Sequence, residues 1–373
     1  MNLSPHARVV SGGKSPGRGF LGTNAGGRLA VLHGALIRLA GWAPDDMISS
    51  ARRWLADGRV VDVAKAVSFV VQSGAGSISV DQARLVAEIL GAADVDPDGL
   101  IDLDHDELVA MPGFTFSPST GLARTARCID LTAPTARHHR LDTVDLAAMA
   151  AAGETSGGAA TVAGLWRSWR RPALATPWPP PRRVYLVQAI TNEPDLLPMI
   201  TLRVQLALVR VGEANPQVES FLDPAELAAY QRAALARSAL LWAGRAMPAV
   251  EIARLFDPAD QVGPSGFVSS RHVLDEADRA DMLSYLDNGS PLWQATASTD
   301  DVVDRRRVAV VPMGFRTDGT WIWPEAAAYY LRHHAIAPDA DLLSHARSVG
   351  FRTAVVDAVA RHRAMAALQR LRP

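Results

Sequence analysis

Three rhythms of apolar and polar positions run along this chain, and each predicts a different kind of element. From Leu29 onward, Leu32, Leu36 and Leu39 recur at helical spacing until Gly41 interrupts them. Pro44, Asp45 and Asp46 open a second helix with Ile48 and Leu55 on its apolar stripe, and Asp57-Gly58 stops it. Val60–Val71 is apolar nearly all round, the mark of a helix buried on several sides. Ser79 then stands as N-cap of a helix carrying Leu85, Val86, Ile89 and Leu90. These short-linked segments predict a helical domain over 28–111.

The second rhythm is the continuous apolar run. Val184–Ile190, Gln217–Leu222 and Ala239–Ala243 read as strands. Between them lie a helix over Leu197–Val211 and a second one from Pro224 to Ala236, announced by the D-x-x-E box of Asp223 and Glu226. The order β-α-β-α-β predicts a small unit of neighbouring parallel strands over 182–246. Its first crossover loop, Thr191–Pro198, contains no glycine, so a phosphate-cradling turn is not expected there.

The third rhythm is the hairpin. Val308–Phe315 runs into Asp318-Gly319, which favours a two-residue turn, and Thr320–Trp323 returns. Pro324 stands where a helix takes its first residue, and Ala326–Leu331 continues as that helix. A strand at Leu292–Ala297 is a candidate partner for the first arm. Helices are expected at Pro248–Phe256, Glu276–Leu286, Asp341–Val349 and Thr353–Leu371, which makes 247–373 a C-terminal α+β portion. Two segments carry less pattern. Residues 1–27, rich in Gly, Ser and Arg, read as a disordered leader. Residues 112–181 read as an irregular linker, with a short edge strand at Phe114 and Phe116 and a helix at Leu141–Ala152. The expected class is therefore mixed α+β: a helical N-terminal domain, a small β-α-β-α-β unit, and a C-terminal hairpin with helices.

Composition narrows the function classes more than it names one. A net charge of −1 and a pI near 6.8 argue against nucleic acid and membrane surfaces as partners. Two lysines stand against thirty-six arginines, a bias without clear clustering. The single cysteine, Cys128, excludes an internal disulfide framework. No apolar run is long enough to span a bilayer and no secretory h-region opens the chain, so the expected compartment is the cytoplasm.

The candidate chemistry is sparse. Asp94, Asp96, Asp98 and Asp102 with Gly99 and Ile101 resemble the start of an EF-hand calcium loop, in which clustered carboxylates supply the hard oxygen ligands Ca²⁺ prefers. The twelfth position, where a bidentate Glu belongs, is His105. Calcium is thus the one cofactor that the residues raise. Gly12-Gly13-Lys14-Ser15 is a phosphate-loop fragment, but Arg8 stands where the pattern needs its first Gly. Trp166-Arg167-Ser168-Trp169-Arg170-Arg171 interleaves rings and guanidinia; a short helix anchored by its two Trp accounts for it without nucleic acid. The pairs His138-His139 and His333-His334 diverge on a helix rather than converge on a metal.

Phe315–Glu325 (FRTDGTWIWPE) followed by Tyr329-Tyr330-Leu331 resembles a module of uncharacterised actinobacterial proteins. Pro181–Val187 and the stretch around Trp242 are similar to upstream parts of such proteins. The resemblance brings no activity, cofactor or catalytic residue, so catalytic residues stay unassigned. Two functional expectations remain. The first is a non-catalytic accessory, adaptor or immunity-like protein, whose aromatic hairpin binds a protein partner through Arg316, Asp318, Trp321, Trp323, Tyr329 and Tyr330. The second is an enzyme with dispersed His, Asp and Arg side chains on the α/β unit.

Overall fold

The structure is a computed structural model that describes residues 27–97, 100, 113–120, 127–133, 141–155, 158–173, 180–257, 266–267 and 274–370. The N-terminal helices are α1 (Arg28–Leu39), α2 (Asp45–Ala56), α3 (Val60–Gln72) and α4 (Val80–Ala92). They share one apolar core built from the leucines, valines and alanines of the helical rhythm. Ser79 caps α4 as its position predicts, within a full capping box: its side chain accepts from Gln82 N, and the Gln82 side chain accepts from Ser79 N.

The central sheet is formed by β1 (Phe114–Ser117), β2 (Ile129–Asp130), β3 (Ala160–Pro172), β4 (Arg182–Thr191), β5 (Gln217–Phe221) and β6 (Ala239–Ala243). Its order is β2-β6-β3-β4-β5. As the β-α-β pattern predicts, β4 and β5 are adjacent and parallel, joined through α6 (Leu197–Arg210). The third expected neighbour, β6, lies elsewhere: it pairs antiparallel with β3 and parallel with β2. β3 is the longest strand among the described residues, and it occupies the segment expected to be a linker with a short helix at Trp166–Arg171. Strand pairing on both edges buries Trp166, Arg167, Ser168 and Arg170, overriding the helical reading of two Trp spaced three apart.

Helices cover both faces of this sheet. α5 (Thr143–Glu154) and α6 pack on one face, against Leu165, Val187, Val218 and Leu241. α7 (Ala229–Ala236) covers the other, against Trp166, Leu186 and Phe221. α7 is shorter than predicted because Asp223 caps a separate 3₁₀ turn at Pro224–Glu226, accepting from Ala225 N. β5 is an edge strand, and the N-terminal helices close it. His33 Nε2 donates to Ser220 O at 2.8 Å, and the Gln205 side chain of α6 ties Pro216 O to Ser49 of α2.

The C-terminal layer holds α8 (Glu276–Asn288), α9 (Ala326–His334) and α10 (Ala340–Ser348) against a second sheet of order β7-β12-β11-β8. Its strands are β7 (Glu251–Ile252), β8 (Ser290–Trp293), β11 (Phe315–Thr317) and β12 (Trp321–Pro324); β9 (Ser298–Thr299) and β10 (Val311–Pro312) form a separate two-stranded arm. The predicted long arm Val308–Phe315 is thus split. Of the side chains in its apolar run Val311 is buried, while Val308, Val310 and Met313 are exposed. Pro248–Phe256 is not helical, because β7 joins β12 there in parallel. The turn is wider than two residues, since Thr317 pairs with Ile322. Gly319 takes the left-handed φ of +95° that an L side chain resists. Pro324 ends β12 rather than starting α9.

The last helix, α11 (Ala358–Arg370), lies between the two sheets. Val359 faces the central core, whereas Ala364, Ala367 and Leu368 pack against Leu292 and Ile322 of the second sheet. Among the described residues no helix is long and apolar enough to cross a membrane.

Candidate functional site

β2 and β6 run parallel, so their carboxyl ends open side by side, the place where α/β sheets commonly hold ligands. A cleft of about 770 Å³ lies there, between the loops that leave both strands and the side of α11. Its apolar lining includes Met149 from α5, Leu241 and Trp242 from β6, and Met247 and Val250 beyond it. Its polar lining is led by Asp130, Thr132 and Arg363.

Local chemistry explains how these polar groups are held. β2 ends at Asp130, whose Oδ1 accepts from Thr132 N at 2.9 Å and from the Thr132 hydroxyl at 2.6 Å, a tight turn closed by its own side chain. Oδ2 accepts from Arg363 Nε at 3.1 Å. Only 7% of the Arg363 side chain and 4% of the Asp130 side chain are exposed. Arg363 Nη1 is shielded from solvent and has no hydrogen-bond acceptor. A buried guanidinium with an unanswered N–H group is costly, and with no accessible surface at Nη1 that cost is carried inside the fold.

The groups behind the cleft wall are neutral. His362, beside Arg363, is held down to about 4 by burial, although its hydrogen bond to Ile129 O opposes the shift. Burial, with the Asp130 charge adding to it, pushes the Cys128 thiol up to about 12. Asp130 and Arg363 therefore set the electrostatics of the cleft floor. At the rim, Arg245 is paired with Asp357 at 2.7 Å, and Arg370 lies two helical turns beyond Arg363.

The residues expected to bind a partner lie elsewhere and mostly inside. Trp323 is fully buried, stacked on Tyr285 at 5.2 Å with its indole N–H donating to Leu286 O. Tyr329 and Tyr330 are buried too, and Trp321 is half-buried over His345. Arg316 donates to Glu325, Asp287 O and Gly289 O, so its fork is occupied within the layer.

Asp318 and Asp301 are built alike. Asp318 Oδ1 accepts the N–H groups of Thr320 and Trp321, and Oδ2 accepts from Tyr285 OH at 2.8 Å and His345 Nε2 at 2.6 Å. Asp301 Oδ1 accepts from Val303 N and Asp304 N, and Oδ2 from Tyr329 OH at 3.0 Å and His334 Nε2 at 2.6 Å. Burial alone raises a carboxyl, yet these donors outweigh it and hold Asp301 at about 2; Asp318 is lowered in the same way. Each carboxylate is saturated by the turn it organises, one Tyr and one His. Both act as clasps between a loop and a helix.

The calcium-loop expectation is only half visible. Asp94 and Asp96 are exposed after α4, while Asp98, Asp102 and His105 lie outside the described residues. The fragment Gly12–Ser15 and the pair His138-His139 lie outside them as well. Among the described residues no three His, Cys, Asp or Glu side chains gather closely enough to hold a metal ion.

Sequence reasoning missed Arg363 and Asp130. Arg363 sits in an Ala- and Arg-rich helix whose expected apolar side is Val355, Val356, Val359, Met365 and Leu368; Val359 and Leu368 are buried, whereas Val355 is 96% exposed. One signal was available: Val359, Arg363 and Ala367 share a helical face, and Arg370 follows at the next repeat. Comparison of the chain with protein-family models, with curated proteins and with solved structures finds no match, so the cleft's chemistry rests on its own residues.

Proposed function

We propose that this chain is a non-catalytic binding protein that takes a small amphipathic anion into the cleft between β2, β6 and α11. The observation that carries this reading is the lining itself: Arg245, Arg363 and Arg370 gather at one apolar cleft, with Arg363 anchored through Nε to Asp130. These guanidinium groups attract an anionic head, while Met149, Leu241 and Trp242 shelter an apolar body. The cleft-lining residues include no His, and the Thr132 hydroxyl is already donated to Asp130. A nucleophile–base pair is therefore missing from the described lining, which favours binding over catalysis.

The test uses 8-anilinonaphthalene sulfonate, a fluorescent amphipathic anion, with the full chain. Fluorescence enhancement by the folded protein is expected, with loss in Arg363→Met and in Ala246→Trp, whose new ring fills the mouth of the cleft. Enhancement that persists unchanged in both folded variants would place the dye elsewhere and remove the reading.

A further inference from the structure

We infer that this chain forms a two-fold dimer in solution, in which a second copy covers the outer face of α5 and α6. None of the residues of that face lines the anion cleft.

Both helices are apolar on two sides. Their inner sides send Ala148, Ala151 and Ala152 of α5, and Ile200, Val204 and Leu208 of α6, into the core against the central sheet. On the outer side of α6, Met199, Leu202, Leu206 and Val209 recur at helical spacing; Leu202 is half-buried and the other three are exposed. On the outer side of α5 lie the exposed Leu146 and Ala150 with the half-buried Ala147, and the helix ends at the exposed Glu154. No charged residue stands between Leu146 and Gly153. A surface helix ordinarily carries charge on this side, so an apolar face continued over two neighbouring helices marks an interaction surface.

The direction of the helices decides which partner fits. Arg183, near the start of β4, pairs with Asp142 before α5 and lies 3.9 Å from Glu213 after α6, so the first turn of α5 is beside the last turn of α6. At the far end Thr191 Oγ1 donates to Ala159 O, just past α5, and α6 starts shortly after Thr191. The two helices are therefore antiparallel. A two-fold axis parallel to them stacks α5 of each copy on α6 of the other, again antiparallel, as an up-and-down four-helix bundle.

Charge fits that stack. Glu154 comes to within about two turns of Arg203 of the second copy. Helical side chains lean toward the N-terminus of their own helix, so these two lean toward each other. Arg210 comes level with the exposed Asp142 of the second copy. The side chains of Glu154, Arg203 and Arg210 have no ion-pair or hydrogen-bond partner among the described residues. An anionic bilayer would repel Glu154 and Asp142, and neither helix carries an aromatic ring to anchor in lipid. A second copy matches both signs. Helices about 18 and 21 Å long, lying about 10 Å apart, offer on the order of 600 Å² per copy, the lower end of what a specific interface buries.

Sedimentation velocity of the full chain over a micromolar concentration series tests this. A reversible monomer–dimer equilibrium is expected, with a dissociation constant of about micromolar order. Leu206→Glu, in the middle of the α6 stripe, should leave a monomer throughout while circular dichroism reports an intact fold. Met199→Glu gives the same readout if Leu206→Glu does not fold. Arg203→Glu and Glu154→Arg should each weaken association about tenfold or more, because the symmetry removes two ion pairs at once. Combining them should restore association, which a general change of surface charge does not do. A protein that stays monomeric across the series would overturn the dimer. So would a dimer indifferent to both apolar-to-Glu variants, since its interface would lie elsewhere. A charge swap no tighter than the single variants would overturn the stacking of α5 on α6. A monomer that floats with phosphatidylglycerol vesicles, and ceases to in Leu206→Glu, would give the face to a membrane instead of a second copy.

Discussion

His33 and His362 show how much a single buried ring can decide. His33 sits inside the contact between α1 and β5, and burial, with the Arg52 charge adding to it, holds it down to about 4 although its hydrogen bond to Ser220 O pulls the other way. His362 is held at about 4 behind the cleft. Both rings are neutral in the folded chain at pH 7. Between pH 6.5 and 4 the unfolded chain binds more protons at these two positions than the folded one, so stability falls as pH is lowered through that window. The expected loss is about 3 kcal/mol for each ring. Urea unfolding of the protein at a series of pH values, beside His33→Gln and His362→Gln, checks it: each variant should show a shallower acid limb. Parallel limbs in all three would mean that neither ring stays neutral inside the fold. His33 stands within the apolar rhythm of α1, so its burial was legible there, whereas His362, between two arginines, carried no such mark.

At the scale of elements, the hairpin β11–β12 was legible and its role was not. Asp318-Gly319 and the flanking Trp and Thr residues mark a turn between strands, and a turn is there. The two-residue loop expected of Asp-Gly gives way to a wider one because the Asp318 carboxylate gathers the N–H groups of Thr320 and Trp321 and then reaches Tyr285 and His345. Clustered aromatics near a turn suit a partner surface equally well on paper. In the fold, α8, α9 and α10 cover them, and Trp323 becomes a central element of that layer. Trp323→Ala should therefore cost about 3–5 kcal/mol, as a buried ring whose indole N–H is also hydrogen-bonded. Trp321→Ala should cost clearly less, since Trp321 is half-buried. Denaturation midpoints of the two variants measure this. Equal, small losses would contradict the interior placement of Trp323.

Across the whole molecule, the N-terminal helices and the central sheet meet through polar groups more than through a shared apolar core. Arg52 of α2 and Glu219 of β5 pair at 2.5 Å with side chains 1% and 0% exposed, and Gln231 of α7 links Glu219 to Ile37 O of α1. Burial raises the Glu219 carboxyl, and Arg52 opposes that rise. A buried pair of this kind is weakly stabilising as a pair but strongly destabilising when halved. Arg52→Met alone should cost about 3–5 kcal/mol. Adding Glu219→Met should recover a large part of that loss, because the uncompensated charge goes too. Chemical denaturation of the single and double variants decides it, and a double variant less stable than Arg52→Met would show that the pair's partners matter more than its charge.

The features that were readable from residue order are those set by local physics. Capping at Ser79, the leucine spacing of α1, the apolar runs of β4, β5 and β6, and the turn at Asp318-Gly319 each depend on neighbours a few residues away. The mixed α+β class follows from them. What depended on distant neighbours stayed hidden. β3 is a strand because β4 on one edge and β6 and β1 on the other supply its hydrogen bonds, from segments up to some eighty residues away in the chain. Arg363 lines the cleft because α11 carries it back to Asp130, a separation of 233 positions. No spacing rule reaches that far. Burial and pairing at such distances are properties of the assembled core, which turned an ordinary arginine in an alanine-rich helix into the anchor of a cleft.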